Sequence, residues 1–177
     1  MENESLYAEH PALPHARAMH AGGTQAQIDW LSVHDFLTAP EVATLRRLDK
    51  WGELSEDARH TIYHMSNCGW RARTYPTLRG YQRSMVKLKK QLLGFREVGR
   101  ARRADIKDAR EVTADATWIL RQIGRRGHVE RIEKRLGYGA PCGHLDRLAY
   151  EAEHLGLDDL SDRLTRAFDR YTSESGY

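Results

Sequence analysis

Residues 76–95 read PTLRGYQRSMVKLKKQLLGF, and their spacing decides the fold. Leu78, Tyr81, Met85, Leu88, Leu92 and Phe95 recur at intervals of three and four, which places them on one face of an α-helix. Arg79, Arg83, Lys87 and Lys90 fall on the other side. A strand would need an alternation of period two, which is absent. Pro76 stands where a helix tolerates proline, at its opening turn. The segment therefore predicts a surface helix with an apolar seam that packs and a basic stripe that stays wet.

Both flanks carry the same period. Upstream, Ile28, Leu31, Phe36 and Leu37 form an apolar patch. Thr38, Pro40 and Glu41 have the spacing of a capping box, and Val42, Leu45 and Leu48 follow towards Trp51 and Gly52. Ser55 opens another helix, with Glu56 and Asp57 in the turn where carboxylates favour the helix dipole. Ala58, Ile62 and Met65 point inward, and Gly69 is the expected stop. Downstream, Arg96, Arg100, Arg103, Lys107 and Arg110 make a second basic stripe. Its apolar counterpart is weak, only Val98, Ala101, Ile106 and Ala109. Gly94 and Gly99 each cost a helix about 1 kcal/mol relative to alanine. The expectation for 96–110 is a helix that orders when its charge is matched, or a mobile linker. Helical periodicity resumes from Val112 to Ile123, then over 128–136, 143–155 and 158–171.

Together these features predict an all-α protein, a compact bundle of about six or seven helices. Residues 26–177 are expected to form a single helical domain, with a basic helical core over 71–135 and acidic C-terminal helices over 136–173. Residues 1–25, with Pro11, Pro14, Gly22 and Gly23, are expected to form a poorly ordered, flexible arm. Its His10, His15 and His20 are spaced by five and so do not share a helix face.

The net charge of +3 hides a strong polarity. Residues 71–135 hold 19 Lys/Arg against 7 Asp/Glu, a net of +12. Residues 1–70 are net −5 and residues 136–177 net −4. A basic stretch this dense is the electrostatic footprint of a polyanion binder, and nucleic acid, RNA or DNA, is the commonest polyanion. The expected contacts are Arg71, Arg73, Arg79, Arg83, Lys87, Lys90, Arg96, Arg100, Arg103, Lys107 and Arg110. Trp70, Tyr75 and Tyr81 beside them are candidates to stack on unpaired bases. The bland alternative is a solvated helix face, or basic groups docked on the chain's own acidic ends.

Residues 115–156 resemble winged-helix and related helix-turn-helix families in hydrophobic spacing, over about 40 residues. Ile119, Leu120, Ile123, Val129, Ile132, Leu136, Leu145, Leu148 and Leu155 would form the tri-helical core. The helix in the recognition position carries Asp146, Glu151 and Glu153 against a single Arg147. Those carboxylates would repel the phosphate walls of a groove. Three packed helices without base readout are therefore expected, and backbone contact is favoured over sequence reading.

No metal site is expected. The nearest approach to one is His60, His64 and Cys68 at i, i+4 and i+8, with Cys142 and His144 later in the chain. No Cys-x-x-Cys clamp nucleates them, and the cysteines read as small buried hydrophobes. No cofactor is expected either. Gly137-Tyr138-Gly139 follows a helical pattern rather than a strand, so it fails the dinucleotide context, and no Walker A or Gly-x-Ser-x-Gly sequence occurs. Two cysteines, no long apolar run and no basic n-region before an apolar stretch point to a cytoplasmic protein without a membrane span. The function expected is non-enzymatic: a helical, nucleic-acid-associated protein, a small subunit of a nucleoprotein complex with protein partners. The alternative is a protein-binding adaptor or inhibitor that docks on an acidic partner or homodimerises through the Leu78–Phe95 seam.

Overall fold

The computed structural model describes residues 22–67, 74 and 77–175. Eight helices lie among them: α1 (Gly23–Val33), α2 (Ala39–Lys50), α3 (Glu56–Ser66), α4 (Leu78–Gly94), α5 (Arg96–Gln122), α6 (His128–Leu136), α7 (Pro141–His154) and α8 (Asp158–Ser175). No strand occurs among the described residues, so the protein is all-α. The chain divides into two compact units, with the division between Arg102 and Arg103 inside α5. Each unit closes its own apolar core.

In the first unit α1 packs on α2 and α3, and α3 on α4. Helix α1 begins at Gly23, earlier than the arm expected over 1–25; Gln25 Nε2 donates to Asp49 Oδ2 of α2 at 2.6 Å. The capping box of α2 is present: Glu41 Oε2 accepts from the Thr38 backbone N–H at 2.9 Å. Ser55 Oγ caps α3 by accepting from the Ala58 N–H. Trp30, Leu31, Leu45, Ala58, Ile62, Met65 and Leu92 are fully enclosed. Of the predicted seam on α4, Tyr81, Met85 and Leu92 are buried, and Leu88 and Phe95 pack against the core. Leu78 departs from the prediction at 61% exposed, because it lies in the first turn, beyond the core's edge. Ser84, off the predicted seam, is also buried, and its hydroxyl donates to the Tyr81 carbonyl at 2.9 Å.

A single residue, Phe95, separates α4 from α5; its extended ψ of 141° turns the chain. Its carbonyl accepts the Gly99 N–H at 2.8 Å and so starts the next helix. Residues 96–110, expected as a conditional helix or linker, belong to one continuous 27-residue helix. Burial of Val98 at 0% exposure and packing of Ala101 offset the glycine cost.

Glu41 ties the first unit together across three helices. Lys89 Nζ of α4 donates to Glu41 Oε2 at 2.8 Å, and Arg102 Nη2 of α5 lies 3.6 Å from Glu41 Oε1. Burial by itself would raise the Glu41 carboxyl. The hydrogen bonds from Lys89 and Thr38 and the Lys89 charge outweigh it, and hold the group below its ordinary value of 4.5. Glu97 behaves similarly: burial pushes it up, while the Ser55 hydroxyl and N–H and the nearby Arg100 bring it down.

In the second unit α7 packs on α8 and α6. Ala116, Ile119, Ile132, Leu145, Leu148, Ala152 and Leu164 fill its core. Val129, expected inside, is 45% exposed. Leu164, Ala167 and Phe168 of α8 belong to this core cluster instead. Arg135 pairs with Asp115 at 3.1 Å and lays its guanidinium over the Trp118 ring at 4.7 Å.

Two outcomes follow for stability. Both depressed glutamates contribute stability that is full above pH 4.5 and is lost as pH falls through their lower folded values. Acid titration of wild type should therefore show a loss of stability below pH 4.5 that Glu41→Gln reduces. Glu41→Gln keeps a capping side chain but strands the two cations, so chemical denaturation at neutral pH should show a cost of about 1–2 kcal/mol. Glu41→Ala should cost more. In the second unit, Leu148→Ala should cost about 2–5 kcal/mol by the same measurement.

Candidate nucleic-acid interface

The basic face of α4 is built by its apolar face. With Tyr81, Met85 and Leu92 committed to the core, Arg79, Arg83, Lys87 and Lys90 are all exposed. At 3.6 residues per turn these four lie within roughly 80° of arc. Helix α4 contains no Asp or Glu, so nothing on it neutralises the stripe. Val86, 69% exposed, sits among the cations.

Helix α5 repeats the device. Arg96 and Arg100 in the first unit, and Arg103, Lys107 and Arg110 in the second, are all exposed. By helical count the first pair lies within roughly 40° of arc in its unit, and the latter three within roughly 60° in theirs. Asp105 and Asp108 lie to the other side by the same helical count, and Lys107 approaches Glu111 at 3.9 Å in an exposed i, i+4 pair of small energetic weight. Among the described residues no other member of the two stripes has a carboxylate within ion-pair distance.

Two further cations of the basic block have a different fate. Lys89 and Arg102 are consumed by Glu41 inside the first unit. Their positions are distinguishable in sequence, because each lies off the line of its helix's stripe. Their partner, some fifty residues upstream of Lys89 in the acidic part of the chain, is not. For these two groups the internal-docking alternative holds.

The proposed stacking residues fare unevenly. Tyr81 is 7% exposed and meets Phe36 edge-on at 6.4 Å, with Phe36 stacked on Trp30. It is a core residue and no platform for a base, a correction that follows from its place on the seam. Trp70, Tyr75, Arg71 and Arg73 lie outside the described residues.

In the helix-turn-helix-like stretch, α7 turns Asp146, Arg147, Tyr150 and Glu153 to solvent and buries Leu145, Leu148 and Ala152. Arg147 is paired with Glu151 at 2.8 Å, so the exposed face carries no unpaired cation from that residue. A bound phosphate wall would meet a surface of the wrong sign.

The histidines and cysteines named for a metal separate. His60 and His64 approach on α3, ring centroids 4.3 Å apart, while Cys68 lies outside the described residues. His144 is buried and its Nε2–H donates to the Gly137 carbonyl at 3.1 Å, against the glycine turn at Gly139. That bond engages the ring in holding the α6–α7 turn. Cys142 is free and half-buried. Among the described residues no group of three His, Cys, Asp or Glu has a ligating arrangement. None of the described helices is long and apolar enough to cross a membrane.

Comparison with known proteins returned no matching family model, curated protein or solved structure.

The division between core and stripe is testable without a ligand. Tyr81→Ala should lower stability by about 3 kcal/mol, as loss of a buried aromatic does. Lys90→Ala should stay within about 0.5 kcal/mol of wild type. Thermal or urea unfolding of both variants checks the pair.

Proposed function

We propose that the protein is a non-enzymatic nucleic-acid-associated subunit that holds phosphate backbone on its exposed basic helix faces. The observation that supports this most is the state of the stripes. The nine expected contact residues among the described residues are all exposed, and of these only Lys107 has a carboxylate within ion-pair distance, although the Glu97 carboxylate lies near Arg100. A solvated face serving solubility alone would ordinarily intersperse both signs, as the exposed side of α8 does with Asp159, Asp162, Arg163, Arg166 and Asp169. Helix α4 carries one sign only. Arginine supplies most of the stripe, and its fork fits phosphate oxygens in pairs. Backbone contact is preferred to base readout because the helix in the recognition position is acidic outward. The acidic ends suit protein partners within a cytoplasmic nucleoprotein assembly.

The adaptor reading keeps one form. Homodimerisation through the Leu78–Phe95 seam would require Tyr81, Met85 and Leu92 to leave the first core. Docking of the same stripes on an acidic protein would not. Fluorescence anisotropy with short labelled RNA and DNA, single- and double-stranded, separates the two. Binding should weaken linearly in log–log salt, and Arg79→Glu, Arg83→Glu and Lys87→Glu combined should flatten the slope by roughly three and lower affinity at least tenfold. No binding to any of the four at low salt, with a nuclease-resistant protein complex in a pull-down, would establish the adaptor instead.

A further inference from the structure

We infer that the turn joining α5 to α6 in the second unit is a separate phosphate-backbone contact, made by Arg125 and Arg126 with Arg121 beside them. The inference rests on the nucleic-acid reading above and adds residues that the two stripes do not include. Arg121, Arg125 and Arg126 are exposed, and among the described residues none has a carboxylate within ion-pair distance. No acidic residue occurs from Ala116 to Val129. By helical count Arg121 lies on the same line of α5 as Arg103, Lys107 and Arg110, after a gap at Ala114 and Thr117. The turn thus prolongs a basic line that already belongs to this unit.

The turn is also fastened, which distinguishes it from a loose basic loop. Gly124 and Gly127 bracket the two arginines in the left-handed region, at φ 80° and 68°. The Arg125 carbonyl accepts from both the His128 N–H at 3.0 Å and the His128 ring Nδ1–H at 2.8 Å. The other ring nitrogen of His128 meets the Tyr171 hydroxyl of α8 at 3.2 Å. The Arg126 carbonyl accepts from Arg131 Nη1 at 2.9 Å, and Arg131 Nε donates to Gln122 Oε1 at 3.0 Å. Backbone carbonyls at both arginines are therefore satisfied from within the unit, and both guanidinium groups project outward from a held backbone. Binding an anion there orders two side chains and leaves the backbone as it is, which lowers the entropic cost of the contact. Each guanidinium offers a planar pair of donors to phosphate oxygens.

The test is anisotropy of a short fluorescein-labelled DNA duplex and a matching RNA duplex across a salt series. It compares wild type, the double variant Arg125→Glu/Arg126→Glu, and Arg125→Ala/Arg126→Ala should the first fold poorly by thermal melt. The expected result is a salt slope flatter by about two and an affinity lower by at least tenfold for the charge reversal. Wild-type slope and affinity in a folded double variant, with binding still lost on reversal of Arg79, Arg83 and Lys87, would overturn this inference and leave the proposed function standing. Failure of wild type to bind either duplex or any single strand would overturn both.

Discussion

The period of α4 is the constraint from which most of the structure's chemistry follows. A helix has only one face to give to a core. Once Tyr81, Met85 and Leu92 are inside, Arg79, Arg83, Lys87 and Lys90 have nowhere to go but water. Burial of the seam is favourable by roughly 25 cal/mol per Å² of apolar surface, and exposure of the stripe avoids the much larger cost of desolvating four cations. Among the apolar and stripe residues of α4 the two requirements conflict only at Leu78 and Val86, both exposed. The basic face is in this sense a by-product of the core, set by packing on the opposite side of the same helix.

Glu41 divides the basic block into a structural and an exposed part. It accepts from its own helix cap and from cations on α4 and α5, so one carboxylate serves a helix start and two helix-to-helix ties. Lys89 and Arg102 are each about one-third exposed and their partner is nearly enclosed, a geometry in which the attraction is only partly screened. The cations left over are those on the stripes. Charge counting over 71–135 cannot make that distinction, because it weighs Lys89 and Lys90 alike although they face different surroundings.

Much of the fold was legible because local and tertiary signals coincided. The Thr38–Glu41 capping box, the Ser55 cap, the inward Ala58, Ile62 and Met65, and the α4 seam apart from Leu78 appear where spacing put them. The continuity of α5 was not legible: the cost of Gly99 is local, while the burial of Val98 that offsets it depends on helices distant in sequence. Val129 was assigned to a core by its spacing, yet α8 closes that core with Leu164 and Phe168. Tyr81 had two readings, core or base platform, and its place on the seam already favoured the first. Of the exposed basic surface, the stripes were legible from spacing alone. The Arg125–Arg126 turn was not legible, because its signal is a pair of glycines around two arginines rather than a period, and its backbone is tied by hydrogen bonds to His128 and Arg131, with His128 in turn bonded to Tyr171.

Three lysines on α4 offer the most direct test of the account. Lys87 and Lys90 lie on the wet stripe, and Lys89 between them is paired with Glu41. Amine-directed labelling followed by mass spectrometry, with and without saturating nucleic acid, reads all three in one peptide. The account predicts that Lys87 and Lys90 label readily in the free protein and become protected on binding, while Lys89 labels slowly in both states. Equal labelling of the three in the free protein would contradict the division between core and stripe, and unchanged labelling of Lys87 and Lys90 under saturating nucleic acid would contradict the role given to that face.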